Sequence, residues 1–152
     1  MKVTLKYSTE GLPVEIEETP GFVGVLEPSE PEPVREPLRA IADTIARPVE
    51  SAPLSAIAKG RKNACVVISD ITRPAPNGLI LPPILQTIEA AGIPRSAVTI
   101  LIATGIHRPS TEEERARLVG QEIVSAYRIV DHLSKRKEDM VEVGTIAGAV
   151  PA

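Results

Sequence analysis

Apolar and polar positions follow two different periods along this chain, and together they predict an α/β fold. Continuous apolar runs at 64–68 and 98–103 predict buried parallel strands, and a shorter run at 127–130 predicts a third strand. Between the first two runs, apolar residues recur at helical spacing over 78–92. A strand, a helix and a second strand in this order predict a βαβ unit.

Weaker patterns complete the predicted elements. Period-two spacing bounded by Gly and Pro predicts a short antiparallel β-hairpin within residues 1–26. The remaining predicted elements are helices at 38–47, 54–59, 111–119 and 123–126, and a last strand at 140–146. The predicted fold class is therefore α/β: a three-layer αβα core with a mainly parallel, Rossmann-like sheet, plus the short N-terminal β-hairpin.

A length of 152 residues predicts one domain. Within it we expect the hairpin at 1–26, a proline-rich acidic connector at 27–37 and the α/β core at 38–152. The only cysteine, Cys65, lies inside an apolar run, so we expect a buried thiol that behaves as a small hydrophobic side chain.

Composition narrows the function classes. A net charge of −3 and an aromatic content of 2% argue against nucleic-acid binding, which uses cationic surfaces and aromatic stacking. Two histidines and one cysteine cannot form a typical structural zinc site, so no metal ligand is assigned. No apolar run approaches the roughly 18 residues of a membrane span, and no signal peptide is recognisable, so a cytoplasmic location is expected.

Polar side chains follow the first two predicted strands where each strand ends. They are Asp70, Thr72 and Arg73 after the first strand, and Thr104, His107 and Arg108 after the second. The carboxyl ends of parallel strands meet at one edge of a sheet, so these side chains are expected to face one cleft. His132 follows the third strand and is a further candidate for the same rim.

The residue types in this set suit a small anionic substrate with a transferable proton. Arginine matches a carboxylate or phosphate, and histidine exchanges protons near neutral pH. A purely structural alternative stays open, in which Asp70 and Thr72 cap a turn and Arg73 is their ion-pair partner. The sequence contains no Gly-x-Ser-x-Gly nucleophile elbow and no glycine-rich phosphate-binding motif.

The two polar loops also carry a family resemblance. The segments SDITRP at 69–74 and ATGIHRP at 103–109, with LPPIL at 81–85 and EAAGI at 89–93 between them, resemble the N-terminal domain of the nickel-pincer lactate racemase family. The resemblance covers roughly residues 54–148. It implies racemisation or epimerisation of a 2-hydroxy acid, with reversible hydride transfer to a nickel-pincer nucleotide cofactor.

The resemblance also implies roles for individual residues. His107 is expected to be one of two catalytic acid/base histidines, Arg73 to bind the substrate carboxylate, and Asp70 to help hold substrate or cofactor. Thr72, Thr104 and Arg108 are predicted to contribute to substrate or cofactor binding.

Family members continue beyond the position of Ala152. The lysine that carries the cofactor, the nickel ligand and the second acid/base histidine are therefore expected on a C-terminal domain outside this chain. We accordingly expect a half-site that is inactive alone, with a small anionic 2-hydroxy acid and that C-terminal domain as its partners. Two alternatives are a non-catalytic α/β domain that binds a carboxylate or phosphate through Arg73 and Arg108, and an assembly module with an exposed apolar surface.

Overall fold

The structure, a computed structural model, describes residues 1–27, 29–146 and 150–151, and the chain divides into two compact units, Met1–Pro33 and Val34–Ala152. In the first unit, β1 (Lys2–Leu5) pairs antiparallel with β2 (Leu12–Glu15), which confirms the predicted hairpin. Gly11, directly before β2, has a φ of +75°, and a Cβ there would lie 2.8 Å from the side chain of Thr4. The turn therefore requires glycine.

The second unit holds the remaining elements. In chain order they are α1 (Pro37–Ala46), α2 (Leu54–Ala58), β3 (Ala64–Ser69), α3 (Asn77–Ala90), β4 (Val98–Ala103), α4 (Glu112–Val119), α5 (Gln121–Ala126), β5 (Arg128–Asp131), β6 (Thr145–Ile146) and β7 (Val150–Pro151). Short 3₁₀ turns lie at Arg95–Ala97 and Lys137–Asp139. None of the helices among the described residues has the length and apolar character needed to cross a membrane.

A three-stranded parallel sheet forms the centre of this unit. Its order is β3-β4-β5, and the register places Val66 beside Ile100 and Ile100 beside Ile129. The helices that follow β3 and β4 flank the sheet, so the predicted α/β class with a parallel sheet is confirmed. Parallel pairing also places the carboxyl ends of all three strands at one edge.

The core lies on one face of the sheet. Alternate β4 side chains, those of Val98, Ile100 and Ile102, are completely buried. Helices α3, α4 and α5 supply the apolar side chains that join them, namely Leu81, Leu85, Ile88, Leu118, Val119 and Ile123. Because successive residues of a strand point to opposite faces, the other face of β3 carries Cys65 and Val67, and both are exposed. The expectation of a buried Cys65 was therefore wrong.

A polar cluster ties the elements together at the amino end of the sheet. The Glu89 carboxylate accepts two hydrogen bonds from the Arg95 guanidinium, at 2.7 and 3.1 Å, and one from the Tyr127 hydroxyl at 2.5 Å. The guanidinium carbon also lies 5.1 Å from the centre of the Tyr127 ring. These contacts lower the pKa of Glu89 to about 2. The cluster joins α3 to the starts of β4 and β5, far from the carboxyl edge.

Two predicted boundaries need correction. The predicted strand at 140–146 is strand only at Thr145–Ile146, which pairs antiparallel with Val150–Pro151. Alternating apolar residues at 140–144 remain exposed because no neighbouring strand pairs with them among the described residues. The predicted connector at 27–37 ends one residue too late, since Pro37 is already the first residue of α1, a position that suits its fixed φ.

Candidate functional site

A buried carboxylate, that of Asp70, organises the loop that follows β3. Only 6% of Asp70 is exposed. The Thr72 hydroxyl donates a hydrogen bond to its Oδ1 at 2.7 Å, and Nδ1 of His107 lies 2.5 Å from its Oδ2. These hydrogen bonds, first that of Thr72 and then that of His107, lower the pKa of the Asp70 carboxyl. The carboxylate is therefore ionised at neutral pH and acts as an acceptor.

Backbone turns place the two loops opposite each other. The Arg73 amide donates to the Asp70 carbonyl at 3.1 Å, and the His107 amide donates to the Thr104 carbonyl at 3.0 Å. Ser69 and Ala103, the last residues of β3 and β4, are paired in the sheet, so both turns begin at the same level. Gly105 adopts a φ of +58° within the second turn. The adjacent strand ends thus bring together side chains that lie 37 positions apart in the sequence.

The contact with Asp70 assigns the protonation pattern of the His107 ring. An ionised carboxylate can only accept a hydrogen bond, so the ring nitrogen that faces it, Nδ1, carries a proton. In the neutral ring the other nitrogen, Nε2, then holds the free lone pair. The side chain of His107 is 47% exposed, so this nitrogen can meet a ligand from solution. The pair is therefore chemically equipped to accept and return a proton.

A cavity of about 490 Å³ opens between the two loops. Its lining residues are Val67, Ile68, Ser69, Asp70, Arg73, Ala103, Thr104, Gly105, Ile106 and His107. The side chain of Arg73 is exposed, and no ion pair to it occurs within the described part of the chain. A free guanidinium and a half-exposed imidazole thus line one cavity, as expected for the binding of a small anion.

A hydrogen bond joins Thr104, which lines the cavity, to His132, which does not. The Thr104 hydroxyl donates to the backbone carbonyl of His132, and the His132 amide donates to the carbonyl of Ile102 at 2.8 Å. Thr104 is 2% exposed. The hydroxyl of Thr104 is therefore used to join β4 to the end of β5. His132 takes part through its backbone, and its side chain does not line the cavity.

Arg108 pairs with an acid that follows it in the sequence. The guanidinium donates to both carboxylate oxygens of Glu114, at 2.8 and 2.7 Å. Glu114 also accepts from the Thr111 amide at 2.9 Å, while its own amide donates to the Thr111 hydroxyl at 3.2 Å, which completes a capping box at the start of α4. The bond from Arg108 and then that from Thr111 lower the pKa of Glu114 to about 2. The positive charge of Arg108 is therefore paired with a carboxylate of α4.

Sequence reasoning missed three residues around this edge. Glu114 is not among the candidate residues drawn from the sequence, although the Thr-x-x-Glu spacing is a recognisable capping signal. Asp131, at the end of β5, accepts from the Ser110 amide at 3.2 Å and pairs with Arg115. Asn77, the first residue of α3, is 6% exposed, and its Nδ2 has no partner in the described residues. No sequence signal marks the last two, since the contacts of Asp131 and the burial of Asn77 depend on the fold.

Comparison with known proteins identifies the family of this chain. Residues 7–151 match the family model of the lactate racemase N-terminal domain. The chain is 36% identical over 106 residues to the lactate racemase of Lactiplantibacillus plantarum and 38% identical over 100 residues to that of Thermoanaerobacterium thermosaccharolyticum. These alignments cover 70% and 65% of this chain but 25% and 23% of the relatives. The chain thus spans about a quarter of the length of the curated relatives it matches.

A solved structure extends the similarity to the fold. The lactate racemase apoprotein from Thermoanaerobacterium thermosaccharolyticum superimposes with a TM-score of 0.82 at 28% sequence identity, over 99% of this chain and 34% of that one. The expected family resemblance is therefore confirmed by the sequence and by the fold. The chain belongs to the family of lactate racemase N-terminal domains.

Proposed function

We propose that this chain supplies one half of the active site of a lactate racemase, acting on a 2-hydroxy acid such as lactate. The observation that carries the proposal is the 2.5 Å contact between Asp70 Oδ2 and His107 Nδ1 at the edge of a cavity that Arg73 also lines. A 2-hydroxy acid carries a carboxylate and a hydroxyl on adjacent carbons. One arginine and one oriented histidine match these two groups.

The chemistry of each side chain follows from its environment. Arg73, exposed and without an ion pair in the described residues, binds the substrate carboxylate through its planar fork. His107 accepts the proton of the substrate hydroxyl at Nε2, because Nδ1 is already directed to Asp70. As the proton arrives, the ring becomes an imidazolium, and the adjacent Asp70 carboxylate stabilises its charge. On the return step the same nitrogen gives the proton back.

The family resemblance implies a nickel-pincer nucleotide cofactor. The side chains that could bind a metal ion test whether the described residues offer a site for its nickel. Residues 1–27, 29–146 and 150–151 contain no group of three or more His, Cys, Asp or Glu side chains placed to hold a metal ion. The family resemblance implies that the nickel ligand lies on the C-terminal domain, and we assign nickel binding to none of the described residues. When bound, the cofactor would supply a hydride acceptor for the carbinol carbon, and the residues of this chain fit the substrate side of that reaction.

A second proposal is that the 152-residue chain does not racemise lactate by itself. In this proposal Arg73 and His107 serve carboxylate binding and proton transfer at the cavity, while the family resemblance implies that the lysine carrying the cofactor lies on a C-terminal domain. Racemisation of L-lactate by the isolated chain, with cofactor supplied, would contradict this. The C-terminal partner domain and the cytoplasmic location expected from the sequence stay predictions.

A non-catalytic anion-binding domain is the competing function, and the structure weakens its two-arginine form. In that form Arg73 and Arg108 share one anion. The Arg108 guanidinium instead donates to both oxygens of Glu114 and lies outside the cavity lining. An anion at the cavity would therefore meet the positive charge of Arg73 with His107 beside it, an arrangement that favours proton transfer over simple binding.

The decisive experiment measures turnover in a complete lactate racemase that carries this domain. His107→Ala is expected to lower kcat for L- to D-lactate by roughly 10²–10⁴-fold, the usual contribution of a general acid/base, with KM nearly unchanged. Arg73→Ala removes a charge-assisted contact and is expected to raise KM by roughly 10–100-fold. Chiral chromatography of both lactate enantiomers provides the rates.

Arg39→Ala is a matched control for these variants. Arg39 lies on α1 and pairs only with Glu36 at the surface, at 3.2 Å, among the described contacts. It should leave both kcat and KM unchanged. Retained lactate binding with abolished turnover in His107→Ala supports catalysis. Turnover at the parental rate in that variant would refute the acid/base assignment and leave anion binding as the better explanation.

A further inference from the structure

The loop that carries His107 is anchored at both ends by two consecutive residues: Asp131, the last residue of β5, and His132, which follows it. At the start of the loop, the Thr104 hydroxyl donates to the backbone carbonyl of His132. At its far end, the Ser110 amide donates to Oδ1 of Asp131 at 3.2 Å. The register of the sheet places Asp131 beside Ile102, the residue two before Thr104. Both ends of the loop 104–110 are therefore hydrogen-bonded to residues at the end of β5.

Asp131 is the more constrained of these two anchors. Its side chain is 3% exposed, and its second oxygen, Oδ2, accepts a hydrogen bond from the Arg115 guanidinium of α4. A buried carboxylate that lost these partners would be strongly unfavourable, so the acceptor cannot turn away from them. Ser110 is thus tied to a rigid group, at the point where the His107 loop passes into α4.

The His107 ring has little else to fix its position. The two residues before it give the ring little support, because Gly105 has no side chain and Ile106 is 83% exposed. The contact of the ring with Asp70 is its only side-chain hydrogen bond among the described residues. A small shift of the loop would therefore lengthen that 2.5 Å contact directly.

We propose that Asp131 is a positioning residue: through the Ser110 amide it holds the 104–110 loop so that His107 reaches Asp70. Asp131 does not line the cavity and is not expected to touch the substrate. Its importance for turnover rests on the proposed role of His107, but its effect on geometry does not. The geometric effect can therefore be tested on the 152-residue chain without any activity.

Nuclear magnetic resonance of the chain provides two independent readouts. The first is the Nδ1 proton signal of His107, which a short hydrogen bond to a carboxylate moves downfield and protects from exchange. With two histidines in the chain, a His132→Gln variant completes the assignment. The second is the titration of the Asp70 carboxyl carbon, because the His107 contact helps to lower the pKa of Asp70 below 3.8.

Two substitutions at Asp131 separate positioning from ion pairing. Asp131→Ala removes the acceptor of the Ser110 amide, so we expect the protected Nδ1 signal to be lost and the pKa of Asp70 to rise towards 3.8. Asp131→Asn retains an oxygen that can accept from the Ser110 amide, but its amide nitrogen is a donor and replaces the oxygen that accepts from Arg115, so the ion pair is lost. It should keep both signals. A protected signal in Asp131→Ala, or equal loss in both variants, would overturn the proposal.

Controls address stability and folding. Tyr127→Phe removes a 2.5 Å hydrogen bond to Glu89 at the opposite end of the sheet, so it should lower stability without changing either signal. If Asp131→Ala fails to fold, the double variant Asp131→Leu with Arg115→Met replaces the buried pair by apolar groups, an exchange that is often neutral or stabilising. It still lacks the Ser110 acceptor and should lose the Nδ1 signal; retention would refute the proposal.

Discussion

Replacing Asp70 with Asn should change which nitrogen of His107 carries the proton. The carboxylate oxygen that lies 2.5 Å from Nδ1 accepts a hydrogen bond, whereas an amide nitrogen in its place donates one. Nδ1 must then be the acceptor, and the proton moves to Nε2. The amide has almost the same size, and its oxygen can still accept from Thr72 at the other position. The variant thus changes the tautomer while it preserves the packing.

The expected loss equals the contribution of a correctly oriented base. General acid/base catalysis contributes roughly 10²–10⁴-fold, or about 3–5.5 kcal/mol of transition-state stabilisation. In a complete lactate racemase that carries this domain, Asp70→Asn should therefore lower kcat by that factor. KM should change by less than about threefold, because Arg73 still binds the carboxylate. Rates of L- to D-lactate conversion provide kcat and KM.

Two results would refute this reasoning. A kcat within about threefold of the parent would mean that the tautomer of His107 does not limit the reaction. A histidine ¹⁵N spectrum that still shows a protonated Nδ1 in the variant would mean that Asp70 does not select the tautomer. Asp139→Asn is the matched control, since Asp139 pairs with Arg136 at the surface, 3.9 Å away. It should change neither the rate nor the spectrum.

Three further predictions follow from burial and charge. Ile100→Ala, at a fully buried position, should lower the free energy of unfolding by about 2–5 kcal/mol in urea titrations followed by circular dichroism. Val67→Ala, at a position that is 61% exposed, should lower it by less than about 0.5 kcal/mol. Equal losses in the two variants would contradict a core that lies on one face of the sheet. Arg108→Ala should raise the pKa of Glu114 from about 2 towards 4.5 in carboxyl NMR titrations, and an unchanged titration would disprove the ion pair. Folding lowers the pKa of Asp70 below 3.8, so its stabilising contribution is present above pH 3.8 and is lost as the pH falls through the folded pKa. Asp70→Asn should remove that part of the acid dependence of unfolding, and an unaltered acid profile would contradict it.

The sequence predicts those features of the fold that depend on local pattern. Strands β3 and β4 end where an apolar run meets Asp70 or Thr104, and parallel pairing then requires the two loops to share an edge. The shared edge brings Asp70 and His107 within reach of each other, and the structure shows that their side chains form a hydrogen bond. Patterns of this kind are reliable because they follow from burial along a single element.

The features that sequence reasoning missed depend on neighbours in space. Apolar alternation around Val143 looks like a strand, yet a strand needs a partner, and none pairs with 140–144 in the described residues. Cys65 lies in an apolar run, but only the fold shows that its face of the sheet is accessible. Arg108 was predicted to contribute to substrate or cofactor binding because the sequence does not show that it pairs with Glu114. In each case the deciding contact comes from another element.

Two aspartates at neighbouring strand ends illustrate how the same group can serve different purposes. Asp70 follows β3 and contacts the His107 ring, which is 47% exposed and can change its protonation state. Asp131 ends β5 and contacts a backbone amide, that of Ser110, together with an arginine that is 29% exposed. Both carboxylates are buried, so burial alone does not identify the functional one. In the proposed mechanism the difference lies in the partner: a ring that can exchange a proton would give Asp70 a chemical role, whereas an amide that cannot would leave Asp131 a role in positioning.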